Sequence, residues 1–236
     1  MSIDRPDLPA PVRRLLEVAY PGDAPEPSAL VLDATGRLRF GRLPWLPMRA
    51  RVSLVPGSDR VMEIGVRLGP VTILHGLDAF VDGRGFTKAV GAPVVGDEVD
   101  EGAFHTLILE SLALPRSWSR LGFTWDPVDA DTAILRVRFK EGVQTATVRF
   151  DAETGFPSVF EIPRHKGVGS PKVDWRVDLD GWRRFGSTWE PGRTTARWMD
   201  EPGPWFEIRT RQVVPNADVT DALARARHVL ASAERP

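Results

Sequence analysis

The segment HTLILESLAL, His105 to Leu114, places an imidazole and a carboxylate among leucines. Apolar surroundings disfavour the ionised form of a carboxyl group, so a glutamate set there is suited to proton transfer near neutral pH. Glu110 is the candidate acid or base, with His105 or His75 as its helper. A plainer account pairs Glu110 with one of the chain's arginines and gives His105 a hydrogen bond inside the core. HGLD at 75–78 offers His75 and Asp78. Residues three apart in a regular strand face opposite sides, so these two share a metal only across a bulge at Gly76. His75 lies in register with Ile73 and Leu77 and is expected on the dry face.

Other groups yield less. Ser170, in GVGSP, precedes a proline and cannot open the helix that a nucleophile elbow requires. RHKGVGSPK at 164–172 gathers Arg164, His165, Lys166 and Lys172 around glycines, either as an anion clamp or as a plain hairpin tip. Five of the eight tryptophans fall between Trp175 and Trp205. They suit sugar stacking, an apolar pocket, or simply the packing of a curved sheet. H-E-x-x-H, G-K-[ST], G-x-S-x-G and G-x-G-x-x-G are all absent from the sequence. With no cysteine, thiolate metal sites, disulfides and cysteine nucleophiles are excluded. No catalytic set, metal site or cofactor is assigned.

These residues must be held by strands. Met62, Ile64 and Val66 alternate with Glu63 and Arg67; Ala133, Leu135, Val137 and Phe139 alternate with basic residues. Ala146, Val148 and Phe150, then Trp175, Val177 and Leu179, repeat the pattern, as do Leu38 with Phe40 and Phe206 with Ile208. Each is a strand dry on one face. DATG at 33–36, VPGSD at 55–59, VDGRG at 81–85, KEG at 140–142 and DAETG at 151–155 read as turns. About ten strands in antiparallel hairpins result, without a βαβ rhythm. PAPVRRLLEVAYPG begins the chain with a helix, its stripe Val12, Leu15, Leu16 and Ala19, ended by Pro21-Gly22. DVTDALARARHVLASAERP closes it with another, striped by Val219, Ala222, Leu223, Ala226 and Leu230 and capped by Asn216 or Asp218.

The segment around Glu110 differs from both. At 100° per residue, Phe104, Leu107, Ile108, Leu109, Leu112 and Leu114 cover more than half the circumference, leaving Thr106, Glu110 and Ala113 a narrow remainder. Pro115 restricts Leu114 and should stop the helix. A helix apolar nearly all round needs cover on several sides, which a flat sheet does not provide. The expected fold is mainly β: a single strongly curved antiparallel sheet, a half-barrel, wrapped around a central helix at 100–114. Residues 1–215 form this unit, and 216–236 a helix packed on it or extending from it.

LPAPVRRLLEVA, LPWLPMRA, RLGPV, DAFVDGRG, ESLALPRSW, FTWDPVDADTA and VRFDAETG follow one another in this order. The series resembles a widespread, uncharacterised bacterial family with an L-P-x-P-V-R-R opening and a W-x-P-F-x-A signature, over roughly residues 8–160. Its glutamate with a proline five residues on matches Glu110 and Pro115, and its tryptophan before D-x-x-T matches Trp125. Met48 replaces the signature phenylalanine, and Leu15 and Ala113 replace aromatic residues. The resemblance extends, by analogy of fold, to curled-sheet lipoprotein carriers in which a half-barrel cradles an acyl chain.

The charge of −1, from 31 basic and 32 acidic residues, is interspersed and predicts no nucleic-acid partner. No apolar run reaches the roughly 20 residues that cross a bilayer, and the opening lacks a signal peptide's apolar stretch, so the expectation is a cytoplasmic protein. Three functions fit. The first is binding of an apolar or amphipathic small molecule, with His75, His105, Glu110, Trp125 and Trp175 as ligand contacts. The second is a hydrolase or isomerase using Glu110, and the third a structural or protein-interaction module. Oligomeric state is left open.

Overall fold

The computed structural model describes residues 7–20, 26–41 and 43–233. After helix α1 (Ala10–Ala19), a first run of strands comprises β1 (Leu30–Leu38), β2 (Leu46–Val55), β3 (Asp59–Leu68), β4 (Val71–Val81) and β5 (Arg84–Lys88). Helices α2 (Asp97–Glu110) and α3 (Pro115–Leu121) follow. A second run comprises β6 (Thr124–Pro127), β7 (Thr132–Phe139), β8 (Gly142–Phe150), β9 (Pro157–His165) and β10 (Lys172–Asp180). β11 (Arg183–Phe185), β12 (Thr188–Glu190), β13 (Arg193–Trp198), β14 (Phe206–Pro215) and α4 (Thr220–Ala233) complete the chain.

Twelve strands form one antiparallel sheet, ordered β5-β4-β3-β2-β1-β14-β13-β10-β9-β8-β7-β6, and β11 pairs with β12 separately. The sheet is curved and unclosed, as the one-sided alternation predicts. Its strands exceed the ten expected even though DATG is not a turn: β1 runs through it. A register shift at Asp33/Ala34 lets β1 pass. Gly36 is there for close approach, since a β-carbon would come within 2.0 Å of the Glu207 carbonyl oxygen. VDGRG is a true hairpin turn, with Asp82 at φ 52° and Gly83 at φ 79°, the positive pair that a two-residue loop demands.

Strands from both ends of the sheet order meet on α2. It packs on β4 and β5 from one side and β9 from the other. The Phe104 ring stacks on Phe139 of β7 at 4.3 Å and tilts against Phe80 of β4 at 5.5 Å. Every residue from Gly102 to Leu114 is buried or half-buried. The regular helix ends four residues earlier than expected, at Glu110, because residues 111–113 tighten into a turn. Pro115 then begins α3, which the sequence pattern does not disclose; its lost N–H is no cost at a first helical position.

The first and last helices bury their expected stripes. Val12, Leu15, Leu16 and Ala19 of α1 are buried; the Pro21-Gly22 stop lies outside the described residues. On α4, Leu223, Ala226 and Leu230, with Val219 just before them, pack on the outer face of the sheet against Val31, Val61, Ala79 and Phe86. Of the two proposed caps, Asp218 is the one used, accepting from the Thr220 N–H at 2.9 Å. Arg227 pins the helix with a two-pronged hydrogen bond to Asp82. No helix among the described residues is long and apolar enough to cross a membrane.

Candidate functional site

Because β-carbons alternate, one set of residues on each strand points into the cup. Val52 and Leu54 of β2, Met62 and Ile64 of β3, and Leu30 and Leu32 of β1 form one wall of a cavity of about 590 Å³. Trp175, Val177 and Leu179 of β10, with Ala196 and Trp198 of β13 and Phe206 and Ile208 of β14, form the facing wall. The third side belongs to α2 and the turn after it: Thr106, Leu109, Glu110 and Ala113. The narrow sector left over by the helical wheel is therefore the face α2 turns to the cavity, while the rest of its circumference meets the sheet.

Register separates the two ends of this space. Leu38 pairs with Phe206 and lies two strands from Val66, near the exposed lining residue Phe40 at the rim. Leu30 pairs with Leu54, and Leu54 with Arg60, at the inner end. The polar groups there form a linked set. Arg60 is 0% exposed. Its Nε donates to Glu110 Oε2 at 2.9 Å, its Nη1 donates to Asp78, and its Nη2 has no partner. Burial alone would depress the guanidinium's pKa; the two carboxylates outweigh burial and raise it. Asp78 resists its own burial because Arg60 and Arg164 both face it and Thr87 donates to it, so its pKa falls. Glu110 is raised by burial, only partly opposed by Arg60 and reinforced by Asp78's charge.

Arg164 lies 4.5 Å over the Trp175 ring and donates to Thr106 Oγ1 at 3.2 Å. Burial lowers it to about 10, which leaves it charged at neutral pH. Glu190, at the end of β12, also lines the cavity. Burial and the nearby charge of Glu110 push it up to about 8. Among the described residues its carboxyl has no hydrogen bond or ion pair.

The five expected ligand contacts part company here. Glu110 and Trp175 line the cavity. His105 does not: it is 0% exposed and turned towards β8, where Nε2 meets Gln144 Oε1 at 2.8 Å. Burial and the charge of Arg164 lower its pKa to about 3, so it is neutral. Trp125 sits beside Trp118, Phe123 and Phe150 in an aromatic cluster away from the lining. His75 corrects the register reading, since it is exposed on the outer face. There it borders a groove with Glu63, Arg225 and His228 beside α4. The even-numbered Leu74, Gly76 and Asp78 take the inner face instead. The basic loop does not converge on an anion: Lys166 pairs with Asp200 and Glu201, Lys172 with Glu101, and Arg164 turns inward.

The family described as "Family of unknown function (DUF6544)" matches residues 2–208. This chain belongs to that family. No curated protein matches it. Among solved structures, a DUF1329 family protein from Desulfovibrio piger is similar at TM-score 0.51 and 12% identity, covering 90% of this chain and 93% of that one. A LolA superfamily protein from Nitrosomonas europaea gives 0.49 and 11%, covering 90% and 94%. A putative outer membrane lipoprotein-sorting protein domain from Vibrio parahaemolyticus gives 0.47 and 11%, covering 86% and 91%. At such identities the likeness is one of fold.

For this DUF6544 member, sequence reasoning missed Arg60, Arg164 as a lining residue, and Glu190. Arg60 had a signal: the dry row Met62, Ile64, Val66 extended back by two residues reaches it. Glu190, between Trp189 and the breaker Pro191-Gly192, had none.

Proposed function

We propose that this DUF6544 member binds an apolar or amphipathic small molecule between the curved sheet and α2. The observation that carries this reading is the cavity itself. A space of about 590 Å³ with aliphatic and tryptophan walls and a few converging polar groups has the size and character of ligand pockets. In this reading Glu110 is a fixed part of the wall, held by the Arg60 Nε–H on one of its oxygens.

Ala196 gives the direct test. It is buried in the lining, between Val177 on one side and Phe206 on the other. An indole grafted there fills the cavity from its wall. Titration of the purified protein with a fluorescent fatty alcohol should saturate near one per chain, and Ala196→Trp should weaken it by at least roughly tenfold, about 1.4 kcal/mol. Equal affinity in a variant that melts like the parent would reject the cavity as the binding place.

A further inference from the structure

The charges around the inner end of the cavity do not balance. Fully ionised, the carboxyl groups Asp78, Glu110 and Glu190 outnumber the guanidinium groups of Arg60 and Arg164, while Arg39, Lys88, Lys166 and Glu201 also line the cavity. Both arginines are already engaged. Arg60 is hydrogen-bonded to Asp78 and Glu110; Arg164 is laid over Trp175 and bonded to Thr106. Glu190 alone receives no donor among the described residues, although it borders an enclosed space and lies near enough to Glu110 for their charges to repel. The C-terminal end of α2 points the same way. Its last turn carries Glu110 and no basic residue of its own, so Arg60, already bonded to Glu110, is the cation that faces the negative end of the helix dipole.

Raised to about 8, Glu190 keeps its proton at neutral pH, and to ionise there it needs a cation or a set of donors. Neither comes from the described residues, and both are properties a ligand can bring. Aromatic walls favour the same chemistry, since an indole face attracts a cation. Trp182, half-buried, lines the cavity together with Glu190 and Leu179, and its own N–H is committed to the Pro157 carbonyl at 2.7 Å.

Building on the proposed ligand-binding role, we infer that the cavity selects amphiphiles with a protonated amine: the ammonium pairs with Glu190 and the apolar body lies along the tryptophan and leucine walls. Amine binding then stabilises the ionised form of Glu190 by pairing it with the ammonium. An anionic amphiphile placed the same way sets a second negative charge beside Glu190.

Three probes of equal chain length separate the contributions: decylammonium, decanol and decanoate. Calorimetric titration at about pH 8.5, where the amine is fully charged and Glu190 is largely ionised, gives the comparison. Decylammonium should bind at least roughly tenfold more tightly than decanol, and decanoate more weakly than decanol. Glu190→Gln should erase the amine's advantage while leaving decanol unchanged. The neutral isostere removes a repulsion and should fold at least as well as the parent. Decanoate binding as tightly as decylammonium, or an undiminished amine preference in Glu190→Gln, overturns the inference and leaves the cavity's ligand-binding role intact. Failure of all three probes to bind overturns both.

Discussion

Arg60→Met should destabilise the protein by about 3–5 kcal/mol, because it removes the one cation shared by two enclosed carboxylates. Methionine fills much of the volume, so the loss measures uncompensated charge rather than an empty space. Asp78 retains Arg164 and Thr87; Glu110 retains nothing. The penalty should therefore depend on pH. Glu110 already has a raised pKa, and without Arg60 it rises further. A carboxyl group with a folded pKa above its unfolded value near 4.5 contributes most below that value and loses its contribution as pH rises through the folded one. Urea denaturation should show the variant recovering part of its deficit on going from about pH 8 to about pH 5. Adding Glu110→Gln should recover part of it at the higher pH, a coupling that a double-mutant cycle measures. A deficit independent of pH and unrelieved by the second substitution would mean that Arg60 serves as packing alone.

Alanine substitutions around α2 should be costly on almost every side of the helix. Phe104→Ala should cost about 3–5 kcal/mol, and Leu107→Ala and Ile108→Ala about 2–5 kcal/mol each, all three on one side of the helix. His105→Ala, about 160° round from Leu107, should cost about 1–3 kcal/mol, because His105 is fully enclosed and its loss leaves Gln144 without its partner. Phe104 reaches the rings of Phe80 and Phe139, while Leu107 and Ile108 are both fully enclosed. Leu109→Ala should cost about 1 kcal/mol or less, because Leu109 is half-buried and borders the cavity. An ordinary surface helix would give one sensitive stripe and a broad tolerant face. Thermal melts of the five variants distinguish the patterns, and tolerance of His105→Ala beside a sensitive Leu107→Ala would count against the enclosing sheet.

What the sequence discloses follows from the range of the interactions involved. Alternation within a strand is local, so the dry faces around Met62, Leu135, Val148 and Trp175 are legible from residue order alone. So is the all-round apolar character of residues 104–114, which calls for a curved sheet. The Asp82-Gly83 turn is legible because its backbone conformation selects its residues. Asp33 to Gly36 carries the same residue types for another reason, the close passage of β14, and the local reading fails there. His75 fails similarly: the apolar row it shares with Ile73 and Leu77 lies on the outer face, where Ile73 is exposed and Leu77 packs with the cluster beneath α4.

The site is less legible than the fold because it joins segments distant in sequence. Glu110 meets Arg60 across 50 residues, and Glu190 approaches Glu110 only through the folding of the second half of the sheet. The five late tryptophans have no meaningful spacing along the chain. Four of them, Trp175, Trp182, Trp198 and Trp205, nevertheless line one cavity, because β10, β13 and β14 are neighbours in the sheet. His105 looks chemical in sequence and proves to be a neutral core residue, its hydrogen bond supplied by Gln144 some 39 positions away.

The most direct test is to locate a bound apolar molecule in crystals. After soaking with 10-bromodecanol, anomalous scattering from the bromine should give a peak between α2 and the inner faces of β2, β3 and β10, within the walls formed by Val52, Met62, Leu109 and Trp175. A peak only in the outer groove beside His75 and α4, or none at saturating concentration in well-diffracting crystals, would contradict the account.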